Sequence, residues 1–159
     1  MSERVVIRAM AGADIEAVMG IAAALETAPH WPRGAYEAAL DSSAALPRIA
    51  LVAEYGGRVM GFAIASVVPP EAELETIAVA PEHQRRGTGA ALLSGLMGEL
   101  ASRGVQEVTL EVRASNLAAQ AFYGAHCFAE FAGREQYYRD TCEAAIVMRA
   151  PIPISTKRE

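Results

Sequence analysis

The sequence predicts a single domain of the α+β class, and three observations support this. Stretches with two-residue alternation of apolar side chains, typical of strands, are interspersed with stretches of three- and four-residue spacing, typical of helices. Their order lacks the regular strand–helix alternation of a doubly wound sheet. The 159 residues are 52% hydrophobic and 21% charged, which suffices for one core without disulfide or metal cross-links.

The first half of the chain is predicted to form a strand, two short helices and three consecutive strands. Apolar residues from Ile15 to Leu25 recur with helical spacing, and Asp14 lies near the positive end of that helix dipole. Gly56-Gly57 between two apolar runs is typical of a hairpin turn. The predicted elements are a strand at 5–7, helices at 15–25 and 34–42, and strands at 49–55, 58–68 and 73–79.

The second half is predicted around one long amphipathic helix, which Gly104 follows in the position of a C-cap. Its apolar stripe is Leu92, Leu93, Leu96, Met97 and Leu100. In the next strand Glu111 alternates with Leu110 and Val112, so its side chain is expected on the opposite face. The predicted elements are helices at 88–103 and 117–125 and strands at 105–112, 128–137 and 145–149. We expect residues 1–150 to form the domain and 151–159 a loose tail.

Composition and charge disfavour several classes of protein. The net charge is -5 and the cationic residues form no long run, which argues against nucleic-acid binding. Two cysteines, Cys127 and Cys142, and three scattered histidines predict neither a disulfide framework nor a metal site. No apolar stretch approaches the roughly 20 residues of a membrane helix, and residues 1–8 lack a signal-peptide core. We therefore expect a cytoplasmic protein with reduced thiols, no metal, and no nucleic-acid or membrane partner.

A glycine-containing turn before the long helix is the first candidate binding element. Residues 84–90 read Gln-Arg-Arg-Gly-Thr-Gly-Ala. Spaced glycines let a ligand approach the backbone, the first helical N–H groups lack intrahelical partners, and Arg85 and Arg86 add positive charge. These features suit a phosphate group. Alone they would equally suit an ordinary helix start with a solvated arginine pair, because they match neither a Walker loop nor a Gly-x-Gly-x-x-Gly fingerprint.

A second motif follows the first along the chain. Residues 110–123 read Leu-Glu-Val-Arg-Ala-Ser-Asn-Leu-Ala-Ala-Gln-Ala-Phe-Tyr. With the turn at 84–90, and in this order, the sequence resembles the GNAT family of acetyl-CoA-dependent N-acetyltransferases. The resemblance covers most of the chain and is strongest over 74–123. Within the family it is most similar to the bacterial enzymes that acetylate the N-terminal alanine of a small-subunit ribosomal protein.

The resemblance implies a fold and a binding mode. The fold is a mixed central sheet, flanked by helices, whose parallel strands at 74–79 and 105–112 splay apart to hold acetyl-CoA. One strand would pair its backbone with the pantetheine arm, the turn at 85–90 would bind the pyrophosphate, and the helix after the second strand would contact the cofactor from the other side. The implied cofactor-binding residues are Ile77, Ala78, Val79, Arg85, Arg86, Gly87, Thr88, Gly89, Ala90, Asn116 and Tyr123.

The resemblance also implies direct attack of an amine on the thioester, assisted by two catalytic residues. Glu111 is the implied general base, and Tyr123 is the implied general acid that protonates the departing CoA thiolate. Glu73, which shares a strand face with Glu75, matches the position of the base in histone-type members of the superfamily. The base is therefore Glu111, Glu73 or neither, and a surface role for Glu111 or a packing role for Tyr123 stays open.

An N-terminal α-amine is favoured over lysine as the acceptor. An α-amino group titrates near 7.7–8.0, so roughly a tenth is neutral at pH 7, whereas lysine near 10.4 needs roughly 4 kcal/mol more. The expected partners are acetyl-CoA and a protein N-terminus, of the ribosomal-protein type by resemblance, and we expect a monomer or a homodimer. Two alternatives remain: the same fold acting on a small amine or amino acid, and a CoA-binding module without turnover.

Two departures from the relatives fall near the implied site. Cys127 stands where they have a glycine after the short helix, so that turn is expected to differ. Although the family geometry puts Cys127 near the CoA site, we interpret it as structural. His30-Trp31-Pro32 replaces a Pro-Trp-Ser loop, which leaves the exact acceptor open.

Overall fold

The computed structural model describes residues 4–138 and 143–153, and the α+β class is confirmed. The strands are β1 (Val6–Ala9), β2 (Arg48–Tyr55), β3 (Arg58–Val68), β4 (Glu71–Val79), β5 (Glu107–Arg113), β6 (Ala129–Tyr138) and β7 (Glu143–Pro151). The helices are α1 (Ile15–Ala23), α2 (Arg33–Ala39), α3 (Thr88–Ser102) and α4 (Leu117–Gly124). Every predicted strand and helix is present, with its ends shifted by three residues or fewer.

The strands form one mixed sheet in the order β1-β2-β3-β4-β5-β7-β6. Neighbouring strands are antiparallel except β4 and β5, which are parallel. Their pairing consists of Glu71 with Glu107, Ala72 with Val108 and Glu73 with Thr109. Beyond these positions no further β4–β5 pairs occur among the described residues, because the strands diverge. The predicted splay of the parallel central strands is therefore confirmed.

Helices cover both faces of the sheet and create two core layers. On one face α3 buries its predicted stripe, and on the other α1 and α2 pack around Phe62. The buried residues of the α3 stripe are Leu92, Leu93, Leu96 and Leu100. Met97, predicted in the same stripe, is only partly buried. We call the face covered by α1 and α2 the cleft face, because the candidate site opens on it.

A β-bulge interrupts the pairing of β4 with β3. Ile64 pairs with Thr76 and Ala65 with Leu74, so Glu75 is an extra residue on β4. As a result Leu74 packs in the α3 layer while Ala78 packs in the α1–α2 layer, although strict alternation would put both side chains on one face. The bulge thus changes the face presented by the last part of β4.

Gly61 on β3 lies against this last part of β4. A Cβ at this position would lie 2.9 Å from the carbonyl oxygen of Ala78 and 3.1 Å from Cδ1 of Leu92. The first contact is with backbone, which cannot rotate away. Glycine at position 61 therefore lets β3, β4 and α3 approach each other closely.

The packed fold extends beyond the predicted boundary at residue 150. β7 continues to Pro151, Ile152 is buried, and its N–H donates a hydrogen bond of 2.8 Å to the carbonyl oxygen of Gln106. The expectation of a loose tail from 151 is therefore wrong for these two residues. The remainder of the predicted tail, 154–159, and Cys142 lie outside the described residues.

Candidate functional site

A cavity of about 550 Å³ occupies the gap between the diverging strands β4 and β5. Its walls come from β4, the end of β5, the α1–α2 loop with Trp31, and α4. Of the residues predicted for the site, it brings together Glu73, Ile77, Ala78, Glu111, Asn116 and Tyr123. We call this cavity the cleft. A second cavity of about 500 Å³, beside Leu40 and Glu99, is lined by none of the predicted site residues.

Glu111 lies near the end of β5 with its side chain on the cleft face. Its neighbours Leu110 and Val112 are buried in the α3 layer, so the alternation predicted from the sequence holds. Glu111 itself is exposed and lines the cleft. A carboxylate in this position can accept a proton from a molecule bound between the strands.

Two further carboxylates, Glu73 and Glu75, line the cleft from β4. Glu75 is paired with Arg48 of β2, whose Nε donates to a carboxylate oxygen at 2.8 Å. Burial, and then repulsion from Glu75 and Glu111, raises the pKa of Glu73. The protonated form of Glu73 is therefore favoured relative to that of an isolated glutamate.

Tyr123 enters the cleft from α4, whose first turn is capped by Asn116. The Asn116 side-chain oxygen accepts a hydrogen bond of 3.1 Å from the N–H of Ala119. The Tyr123 ring lies 5.4 Å from the ring of Phe122 and 5.7 Å from that of Phe128. The cap and the aromatic contacts orient Tyr123 relative to the end of β5.

Gln120 is a structural contributor that sequence reasoning missed. Its side-chain amide donates to the carbonyl oxygens of Arg113 at 3.1 Å and Ala114 at 3.0 Å. These bonds tie α4 to the end of β5 and so connect the elements that carry Tyr123 and Glu111. The only sequence signal was its place inside the second motif.

The turn at 84–90 lies at the start of α3 and does not line the cleft. Arg85 and Gly87 have left-handed backbone conformations, with φ of 67° and 83°. The amide of Gln84 donates to the carbonyl oxygen of Val79 at 3.0 Å, which ties the turn to the end of β4. Left-handed residues before a helix start direct backbone N–H groups toward a common point, an arrangement that suits an anion. A left-handed non-glycine residue such as Arg85 is also typical of functional sites.

The chain turns at Cys127 after α4 with φ of 74°, in the position where a glycine would be expected. The N–H of Phe128 donates to the carbonyl oxygen of Tyr123 at 3.1 Å, the hydrogen bond of a Schellman cap. Cys127 is exposed and is not among the residues that line the cleft. The turn therefore has the conformation typical of a C-cap glycine, with a cysteine in its place.

His83 lies buried directly before the turn at 84–90, and no pattern in the sequence indicates its environment. It is 2% exposed, its ring lies 4.6 Å from that of Tyr55, and its Nε2 has no hydrogen-bond partner in the described part of the chain. Burial first, and then the nearby charge of Arg86, lowers the pKa of His83. The folded protein therefore favours the neutral imidazole.

We expect the free energy of unfolding to fall as the pH drops below about 6.5, where an unfolded histidine gains a proton that folded His83 resists. One such group contributes at most about 1.4 kcal/mol per pH unit. Urea unfolding at pH 7.5, 6.5 and 5.5 measures this slope. The variant His83→Phe, which keeps an aromatic ring against Tyr55, should have a smaller slope, and the exposed-site control His30→Gln should keep the full one. Equal slopes in all three proteins would contradict the assignment.

No helix of the described part is long and apolar enough to cross a membrane. Among the same residues, no group of three or more His, Cys, Asp and Glu side chains is arranged to hold a metal ion.

Known proteins resemble this chain in sequence. The profile of the acetyltransferase (GNAT) family matches residues 17–127. The ribosomal protein bS18-alanine N-acetyltransferase of Escherichia coli is 50% identical over 98 residues, which cover 60% of this chain and 66% of that protein. The match thus spans slightly less than two thirds of the length of that relative.

Solved structures extend the likeness to nearly the full chain. The crystal structure of the ribosomal-protein-S18-alanine N-acetyltransferase from Escherichia coli superposes with a TM-score of 0.79 at 34% identity, covering 98% of this chain and 99% of that one. Ard1 from Thermoplasma volcanium superposes with a TM-score of 0.79 at 26% identity, covering 94% and 98% of the two chains.

Proposed function

Since this chain belongs to the GNAT family of acetyltransferases, we propose that it transfers the acetyl group of acetyl-CoA to the N-terminal α-amine of a protein. The proposed acceptor is of the ribosomal-protein-alanine type, as in the name of the Escherichia coli relative. One observation carries the proposal: Glu111 and Tyr123, on different elements, line the same cleft between splayed parallel strands.

The residues present fit acetyl-CoA. Past Glu73, β4 does not pair with β5 in the described part of the chain. The backbone of Ile77, Ala78 and Val79 can therefore pair with the pantetheine arm. The turn with left-handed Arg85 and Gly87 suits the pyrophosphate, to which Arg86, Thr88, Gly89 and Ala90 would contribute. The amide nitrogen of Asn116 is the part of that side chain left for the cofactor, because its oxygen caps α4. Acetyl-CoA supplies the activated acetyl group as a thioester.

Glu111 acts as the general base in this proposal. Its carboxylate removes the proton from the acceptor amine as the nitrogen bonds to the acetyl carbon. An α-ammonium group near pKa 7.7–8.0 loses its proton easily at neutral pH, so one carboxylate suffices. Glu75 is less suited because Arg48 holds it, and Glu73 lies at the closed end of the cleft, where β4 still pairs with β5.

Tyr123 acts as the general acid. When the carbon–sulfur bond breaks, its phenol gives a proton to the departing thiolate, and the product is free CoA. The N–H of Ile77, in the part of β4 that lines the cleft, is the proposed donor to the oxygen that gains negative charge. Alignment of amine and thioester in the cleft supplies a further part of the rate acceleration.

The test is acetyl transfer to a short peptide that begins with Ala-Arg, followed by CoA release and peptide mass. A control peptide has a blocked N-terminus and carries a lysine. Acetylation of the free terminus alone supports the proposal. Acetylation of the lysine peptide, or of free amino acids but not peptides, contradicts the acceptor assignment. Binding of acetyl-CoA without transfer to any amine contradicts the proposed enzymatic activity.

A further inference from the structure

The acceptor side of the cleft has an uneven charge distribution. Its charged lining consists of Glu73, Glu75, Glu111 and Arg113. The negative charge of Glu75 is compensated by the ion pair that its carboxylate forms with Arg48 of β2. Arg113 lies at the far end of β5, two residues beyond Glu111. Glu73 and Glu111 therefore carry the negative charge at the closed end of the cleft, whereas Arg113 lies beyond Glu111 toward its open end.

Glu73 lies where the cleft closes. It is the last residue of β4 that pairs with β5, opposite Thr109, and Glu111 is two residues further along β5. Strand spacing and rise put the Cα atoms of Glu73 and Glu111 at least about 8 Å apart, since the strands diverge from Glu73 onward. Both side chains are on the cleft face. When an acceptor amine lies at Glu111, the acceptor side chains next to that terminus are therefore within reach of Glu73.

A buried hydroxyl supports the binding of a polar molecule at this end of the cleft. Thr76 follows the bulge on the cleft face, lines the cleft and is only 6% exposed. Its Oγ1 has no hydrogen-bond partner among the described residues. Buried hydroxyl groups are normally paired, and once a rotation about χ1 turns Oγ1 toward the cleft the peptide group of an acceptor would provide a partner.

We propose that Glu73 is a specificity-determining residue that disfavours acceptors with an acidic side chain beside the reacting terminus and favours neutral or cationic ones. This inference rests on the proposed function and deepens it. Two carboxylates a few ångströms apart in a partly buried cleft repel each other, whereas a cationic side chain at the same place is attracted. The effect acts on acceptor binding and leaves proton removal to Glu111.

The test compares three peptides that differ only at the second residue: Ala-Gln, Ala-Lys and Ala-Glu. We expect kcat/KM for Ala-Glu to be roughly tenfold below that for Ala-Gln, mainly through KM. Repulsion between two carboxylates a few ångströms apart weakens binding by about that factor. In Glu73→Gln the ratio should shrink to less than about threefold, and added salt should narrow it in the unmodified protein. The control is Glu71→Gln, which removes the same charge from an exposed residue on the same strand face, outside the cleft lining.

Three outcomes would overturn the inference. The first is equal kcat/KM for the three peptides, and the second is a ratio that is the same in Glu73→Gln and Glu71→Gln. The third is a loss of kcat on every peptide in Glu73→Gln, which would make Glu73 the base. Absence of acetylation on all three peptides in the unmodified protein is a different result, because it removes the proposed function itself.

Discussion

Glu111→Gln is expected to lower kcat by about 10² to 10⁴-fold, the usual contribution of a general base. The amide cannot accept the proton of the acceptor amine, although it has nearly the same size and shape. The dissociation constant of acetyl-CoA should stay within about threefold, because Glu111 points into the acceptor side of the cleft and the proposed CoA contacts are backbone groups and the turn at 84–90. Stopped-flow or steady-state turnover, with acetyl-CoA binding measured by calorimetry, checks both parts.

The matched control is Glu107→Gln on the same strand. Glu107 forms an ion pair with Arg149, 3.4 Å from Nη1 to a carboxylate oxygen, and it does not line the cleft. Both groups are partly exposed, so the loss of this pair should cost little stability and leave kcat unchanged. Turnover of Glu111→Gln within about threefold of the unmodified protein would remove Glu111 from the mechanism. If Glu111→Gln were instead unfolded to the same extent as it is inactive, Glu111 would have a structural role.

Tyr123→Phe is expected to lower kcat by about 10²-fold, the low end of the range for a general acid. Phenylalanine keeps the ring contacts with Phe122 and Phe128, so the packing of α4 should be retained. Only the hydroxyl is lost, and with it the proton for the leaving thiolate. Because an ionised phenol cannot donate that proton, the fall of kcat at high pH should also disappear in the variant. A pH–rate profile from pH 6 to 10.5 tests this.

Tyr36→Phe is the control for loss of a tyrosine hydroxyl. Tyr36 is a buried residue of α2, and its ring centroid lies 5.2 Å from that of Trp31 and 6.2 Å from that of Phe62. Phenylalanine preserves these contacts, so kcat and its pH profile should be unchanged. If Tyr123→Phe also has full activity, Tyr123 is a packing residue and solvent protonates the thiolate.

The helices and strands, and the side of the site formed by β5, could be predicted from the sequence because they depend on local periodicity. The side of β5 that carries Glu111 follows from two-residue alternation with Leu110 and Val112, both of which are buried. The turn at 84–90 could be recognised because glycine and arginine types at a helix start have a direct physical meaning.

The remaining parts of the site depend on partners far away in sequence. The ion pair of Arg48 with Glu75 joins residues 27 positions apart, and it decides which β4 carboxylate stays uncompensated. The bulge at Glu75 exists only relative to the pairing of β3, so no pattern within β4 indicates it. Burial of His83 depends on the approach of Tyr55, from the end of β2. Likewise Ile152 is held by Gln106, which alternation in the tail cannot show.

The short parallel pairing of β4 with β5 affects how the native protein can open locally. Three residue pairs are the only ladder that joins the strands β1–β4 to the strands β5–β7 in the described part. Backbone hydrogen bonding therefore couples the two parts of the sheet weakly, and the apolar contacts of Val108 and Leu110 with the α3 layer must provide most of the cooperativity between them. Amide hydrogen exchange should accordingly divide the sheet into two units at this junction, and a ligand that bridges β4 and β5 should merge them into one.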